Sequence, residues 1–367
     1  MTKTAVVALG GNALTRVGQS GTCDEMLANA AAMASAVHAV IEAGWRVVIV
    51  HGNGPQVGNL ALQQEGTAMV PAQPLPLLSA MTQGLLGSLL ARAINLLRGP
   101  GTAVAIITHV TVDPADPAFG APSKPIGPFF EPAEARQLAQ ARGWVVQPDS
   151  GRGYRRVVAS PEPVGVVEID ALRALVDAGH LVIAGGGGGI PVHGTAPQGG
   201  LADAVIDKDR AAGLIARLLG AQALLLVTAV DRVMLDYGQP TQSELGTITA
   251  TEAARHLAEG QFPPGSMGPK IEAALRFLSD GGELALITSP DLLAATLTGA
   301  GARSGTRIER STPADRSPAP ADRSPAPADR SPAPADRSPA PADRSPAPAD
   351  RSPAPADRSP AHAERRR

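Results

Sequence analysis

A continuous apolar run that ends in glycines and leads into a helix leaves a chain few folds, and here that unit recurs. Residues 4–9 form one such run and lead into Gly10-Gly11-Asn12. Residues 46–50 form a second and lead into HGNGPQVG at 51–58. Residues 181–184 form another, ahead of the glycines at 185–189. Further buried strands are predicted at 102–109, 223–228 and 283–288. Helices are predicted at 24–43, after 58, and at 77–97, 169–178, 202–219, 249–259, 269–279 and 291–297. Strands that are apolar at every position must be covered on both faces, so the fold class is α/β with a mainly parallel sheet.

Two segments break the rhythm. Residues 113–163 are rich in Pro and Gly and read as an insertion of small strands and turns. Residues 311–367 hold 14 of the 35 prolines and seven copies of a seven-residue unit, ADRSPAP, from Ala314 onward, the last of which ends in His362. No Val, Ile, Leu, Met, Phe, Tyr or Trp occurs there, so this tail cannot bury enough apolar surface to offset its ordering entropy. It reads as disordered and partly polyproline-like; a coiled coil is excluded by the prolines and the missing apolar seam. The expected domains are therefore 1–310, with 113–163 as an insertion, and a tail at 311–367.

Charge narrows the function. The body carries 22 basic and 26 acidic residues, which weighs against nucleic acid as a partner. No apolar run reads as a bilayer span, and the first eleven residues lack the layout of a signal peptide. The single cysteine, Cys23, excludes an internal disulfide and a Cys-based zinc site, so a cytoplasmic location is expected. His51 and His109 end strands and read as structural hydrogen-bonders. No metal ligand set is evident.

Three glycine loops at strand ends suit a polyanionic ligand, because glycine admits the ligand to the backbone and helix N-termini offer free N–H groups. The loop GNGPQVG has the wrong spacing and position for a dinucleotide fingerprint, and no Walker A loop is present. Against 28 arginines stand four lysines. Lys124 lies in the proline-flanked string SKPIGPFF, Lys208 between Asp207 and Asp209, and Lys270 at the start of a helix. A lysine at a helix N-terminus opposes the helix dipole unless an anion is near. Surface pairing with Asp207, Asp209 or Glu272 is the plainer alternative; a bound phosphate is the functional one. Phosphate loops and lysines without a general base fit phosphoryl transfer to a substrate that is already an anion.

These residues carry a family resemblance. The chain resembles the carbamate kinases of the amino acid kinase superfamily. The match runs through VVALGGNAL (6–14), HGNGPQVG, DPADPAF (113–119), SKPIGPFF, GRGYRRVVASP (151–161), GGGGIPV (186–192), AVIDKD (204–209), GSMGPK (265–270) and GTRI (305–308). The resemblance implies a three-layer α/β/α sandwich with a small protruding subdomain, a homodimer, and reversible phosphoryl transfer between ATP and carbamate. The products are ADP and carbamoyl phosphate, with Mg2+ as cofactor, and in the family the physiological direction is often ATP formation. By position, Gly10, Gly11, Asn12, Gly52 and Asn53 correspond to the carbamate and phosphoryl site. Lys124 takes the place of a strand lysine found in other superfamily members, where this chain has Ala8. Lys208 and Lys270 correspond to the other phosphate-contacting cations, with Asp209 and Asp207 as their organisers. Gly186, Gly187, Asp207, Asp231, Tyr237, Ser266 and Met267 fall to the nucleotide side. Ala229 and Leu78-Ser79 depart from the family pattern. A superfamily kinase for another small carboxylate or phosphate, or a weakly active paralogue with a regulatory or binding role, are the alternatives.

Overall fold

Thr4–Leu9 (β1) is buried at all six positions and lies at the centre of a sheet. The computed structural model describes residues 2–10, 14–16, 18–66, 69–149, 153–194, 199–263, 266–299 and 304–311. By backbone contact the chain divides into residues 1–317 and 318–367, and all described residues lie in the first unit. The repeat tail lies outside the described residues except for Ser311, whose Oγ accepts from the Thr251 amide at 2.9 Å.

After β1 come Cys23–Glu42 (α1), Arg46–His51 (β2), Gly54–Glu65 (α2) and Leu75–Arg98 (α3). Ala103–Ala105 (β3) and His109–Val112 (β4) precede Lys124–Phe130 (β5), Pro132–Arg142 (α4), Val145–Pro148 (β6) and Tyr154–Val158 (β7). Pro163–Val166 (β8), Ile169–Asp177 (α5), Leu181–Ile183 (β9), Ile190–His193 (β10) and Lys208–Leu219 (α6) follow. Next are Ala223–Val227 (β11), Met234–Leu235 (β12), Ser243–Glu244 (β13), Thr247–Thr249 (β14) and Ala250–Ala258 (α7). Gly268–Ser279 (α8), Leu284–Thr288 (β15), Leu293–Thr298 (α9) and Thr306–Glu309 (β16) complete the order.

The main sheet runs β14-β16-β15-β11-β1-β2-β9-β3. It is parallel except where β15 meets β16, so one edge pair runs against the rest. Because strand side chains alternate, β1 feeds two cores. Val6 and Ala8 pack with Ala212 and Ile215 of α6 and Ile271 of α8. Ala5, Val7 and Leu9 pack with Met33 and Val37 of α1 and Leu86 and Leu90 of α3. Two helical layers on one sheet make the α/β/α sandwich. Each such buried Val or Leu contributes about 1.5–3 kcal/mol.

Several expectations are corrected. The strand predicted at 102–109 is two strands in different sheets, since β4 pairs with β10 and β8. Between them the side chain of Gln83 takes over the ladder: its Oε1 accepts from the Thr108 amide at 2.8 Å and its Nε2 donates to the Thr108 carbonyl at 3.1 Å. The helix predicted at 202–219 begins only at Lys208, because Asp207 Oδ1 caps it by accepting from the amides of Asp209 and Arg210. The insertion holds a helix, α4, beside the strands of the β5-β7-β6 sheet. One helix, α3, is long and apolar enough to cross a membrane by length and composition, contrary to the sequence reading. Ten of its residues, Leu78, Leu86 and Leu90 among them, are buried in the protein.

The insertion is seated on α2 by two glycines. A Cβ on Gly58 would stand 2.0 Å from the Gly127 Cα, so α2 and β5 touch backbone to backbone. Gly127 itself has φ +74°, at the bulge where the β5–β7 register shifts. Val57, Ala61, Leu78, Ile126, Val158 and Val205 fill a small core beneath this crossing.

Candidate active site

Asp207 ends an extended segment and Lys208 starts α6, so the helix cap itself brings charge to the carboxyl edge of the sheet. The Asp207 carboxylate is divided: Oδ1 caps the helix, and Oδ2 accepts from Lys124 Nζ, 83 residues earlier. The Asp209 carboxylate is divided too, accepting from Lys208 Nζ at 2.5 Å and from Lys270 Nζ at 2.7 Å. Three lysines from β5, α6 and α8 thus converge on two aspartates, which leaves one positive charge in excess.

Burial of this cluster sets its protonation. Desolvation alone would raise Asp207, but Lys124 and Lys208 outweigh it and hold the carboxyl well below the usual carboxylate range. Asp209 is lowered in the same way, against its own desolvation, by Lys208 and Lys270. Burial pushes Lys208 down to about 8, helped by Lys270 and only partly offset by Asp209. Lys270 feels the same burial, but Asp209 more than compensates and raises it. Of the two lysines on Asp209, Lys208 is therefore the one that gives up its proton first.

The cluster opens into a cleft of about 760 Å³. Helix N-termini line it: Gly54 and Pro55 of α2, Lys208 and Asp209 of α6, and Pro269 and Lys270 of α8. The positive ends of the helix dipoles there favour an anion. Asn53 is 2 % exposed and is fixed by its Nδ2 donating to Thr82 Oγ1 at 2.9 Å. A Cβ on Gly187 would lie 2.2 Å from that same Nδ2, so only glycine fits opposite Asn53.

Of the residues singled out in the sequence, Gly10, Gly52, Asn53, Gly187, Lys124, Asp207, Lys208, Asp209, Asp231, Ser266, Met267 and Lys270 line this one cleft. Gly11 and Asn12 lie outside the described residues. Gly186 is not at the cleft wall; it packs against His51 and Gln83. Tyr237 is 69 % exposed, in the loop of the β12–β13 hairpin, and is not among the residues lining the cleft. The structure adds Arg155, whose Nε donates to the Gly127 carbonyl at 2.9 Å, and Ser289 and Asp291 at the end of β15. The GRGYRR string carried Arg155, but nothing local marked which of its arginines faces the cleft. His51 is fully buried with a pKa pushed down to about 4 by desolvation, so it is a neutral structural group.

A resident magnesium does not fit these side chains. Both oxygens of Asp207 and both of Asp209 are already engaged, and among the described residues no group of three His, Cys, Asp or Glu side chains could hold a metal.

A sequence model of the amino acid kinase family matches residues 3–289. A carbamate kinase of Pyrococcus horikoshii is 43% identical over 315 residues, 84% of this chain and 99% of that protein. A carbamate kinase-like protein of Escherichia coli is 42% identical over 319 residues, 84% of this chain and 99% of that protein. Among solved structures, carbamate kinase from Giardia lamblia bound to AMP-PNP superposes with a TM-score of 0.76 at 37% identity, over 84% of this chain and 99% of the other. The fold, the order of the glycine loops along the sheet edge and these likenesses together place the chain in the amino acid kinase family, on its carbamate kinase branch.

Proposed function

We propose that this chain catalyses reversible phosphoryl transfer between ATP and carbamate, giving ADP and carbamoyl phosphate, and that it works chiefly to make ATP. The observation that carries the reading is the convergence of Lys124, Lys208 and Lys270 on Asp207 and Asp209 at the helix N-termini. In the ATP-forming direction an oxygen of the ADP β-phosphate attacks the phosphorus of carbamoyl phosphate. The bond from phosphorus to the carbamate oxygen breaks, and carbamate leaves with its electron pair. Both nucleophile and leaving group are anions, so no proton has to move. What the reaction needs is positive charge held in place around the transferring phosphoryl group. The aspartates hold the three ammonium groups in position before substrate arrives. Gly10, Gly52 and Asn53, with Gly11 and Asn12, take the carbamoyl end; Gly187, Asp231, Ser266 and Met267 face the nucleotide, with Gly186 and Tyr237 assigned there by family position. Magnesium would enter with the nucleotide substrate, where it would supply charge neutralisation for the phosphates.

The test is ATP formation from ADP with either carbamoyl phosphate or acetyl phosphate as donor. Carbamoyl phosphate is expected to be the preferred donor by kcat/KM. Preference for acetyl phosphate would move the reading to another small-carboxylate kinase. Lys124 on the insertion, with Ala8 in the strand, favours carbamate.

Lys208 gives a pH signature. Its ammonium is present at pH 7 and lost above about 8, so kcat/KM should fall on the alkaline side with an apparent pKa about 8. This loss is not unfolding. Between about 8 and the ordinary lysine range near 10.4, the unfolded chain binds the proton that the folded one has shed, so this group's contribution to stability rises with pH. A flat profile to pH 9.5 would contradict the role given to Lys208.

The assembly is read as a homodimer. On α3, Leu77, Met81 and Leu85 are exposed at four-residue spacing, with Leu96 further along, an apolar stripe that suits a second copy. Sedimentation of the full chain should give twice the 37.3 kDa chain mass, and a 37.3 kDa species at micromolar concentration would contradict it. A cytoplasmic site is consistent with a chain holding one cysteine.

A further inference from the structure

Lys124 reaches the cleft from the insertion, so whatever fixes the insertion fixes a cation of the site. The Gly58–Gly127 crossing is one attachment. A second lies at the far end of the same helix. Glu65, the last residue of α2, is bound by Arg142 Nη1 at 2.6 Å and by Arg156 Nη1 at 3.4 Å. Both guanidinium groups also stack on Trp144, at 5.1 and 4.7 Å from its ring centroid. Arg142 ends α4, Trp144 precedes β6 and Arg156 lies in β7, so one carboxylate gathers three parts of the insertion.

This clamp connects directly to Lys124. Arg156 is the cross-strand partner of Ile126, and Val158 that of Lys124. Ile126 and Val158 pack on Val57 and Ala61 of α2. The N-terminus of α2 lines the cleft through Gly54 and Pro55, while its C-terminus carries Glu65. The helix thus holds the β5-β7 pair at both ends. Burial disfavours the Arg156 charge, and Glu65, with Asp203, partly offsets that cost, so the carboxylate helps to hold the guanidinium in place.

We propose that Glu65 is a positioning residue for the reaction: by clamping Arg142 and Arg156 it sets the seat of β5 and hence the placement of Lys124 at Asp207. The proposal rests on the kinase reading above. Small displacements of a charged group from its productive position are costly in rate.

The test compares wild type, Glu65→Gln, Lys124→Ala and the double variant in ATP formation from carbamoyl phosphate and ADP, with hydrogen exchange of β5 measured alongside. Glu65→Gln keeps size and shape, and its melting temperature should move by no more than a few degrees. Its kcat/KM should fall about tenfold. In the Lys124→Ala background the same change should cost less than about twofold, because the group being positioned is gone. An equal loss in both backgrounds, or no loss in either, overturns the proposal. If wild type makes no ATP, the kinase reading fails by itself. Hydrogen exchange then decides the clamp: faster exchange of the Lys124–Phe130 amides in Glu65→Gln supports it, and unchanged exchange overturns it.

Discussion

Replacing Asp209 by asparagine should lower ATP formation about a thousandfold and weaken the fold. The amide has nearly the same shape as the carboxylate, so the effect isolates the charge. Asp209 is 3 % exposed and its carboxylate pairs with both Lys208 and Lys270. Without it two buried ammonium groups face each other with no anion between them. Removing one partner of a buried ion pair costs about 3–5 kcal/mol. The remaining relief is deprotonation. Lys208 already sits at about 8 with Asp209 present, and loss of that attraction pushes it lower, so it is neutral at working pH. A site missing one of its cations at the transferring phosphoryl group, with the others displaced, should lose about a thousandfold in kcat. Thermal unfolding and the coupled ATP assay read the two effects separately. A variant within tenfold of wild type would show that Asp209 does not organise the cations.

Lys270→Ala acts on the same carboxylate with the opposite consequence for the neighbour. The Lys270 side chain is 12 % exposed at the start of α8, and its charge is one of the three aimed at the cleft. Truncation should lower kcat by about 10²–10³. It should also release Lys208 from a like charge, since Lys270 is one of the groups that depress it. The residual activity should therefore keep its ammonium to higher pH, and the alkaline limb should move upward from about 8. A nonspecific loss would lower the rate and leave the limb where it was. Measuring kcat/KM from pH 6.5 to 9.5 for both proteins distinguishes them.

The parts of this protein that were legible in its sequence are those determined locally. The β1, β2 and β11 runs are apolar at nearly every position, and glycine loops punctuate the first two, so the covered parallel sheet follows from pattern. The scarcity of lysine drew attention to Lys124, Lys208 and Lys270, and all three meet in the structure. What stayed hidden depends on partners far along the chain. The break between β3 and β4 is made by the Gln83 amide, 25 residues from Thr108. The late start of α6 turns on whether Asp207 caps the helix or continues it. Within Asp207-Lys208-Asp209 the sequence offered local pairing of Lys208 with either acid. Only the fold assigns Asp207 to Lys124 and gives Asp209 to both remaining lysines. The Glu65 clamp had no local signature at all, because its arginines lie 77 and 91 residues away. Tyr237 illustrates the converse: its family position suggested the nucleotide side, and the side chain stands exposed, not among those lining the cleft.

If the lysine–aspartate cluster stabilises phosphoryl transfer between carbamoyl phosphate and ADP, the reaction itself must be observable. The most direct measurement is ATP production by the purified full chain from carbamoyl phosphate, ADP and magnesium, followed by a coupled assay at about pH 7.5, below the Lys208 titration. Sustained turnover is expected, with one ATP formed per carbamoyl phosphate consumed beyond its spontaneous hydrolysis. A folded protein that forms no ATP above the uncatalysed background would contradict it.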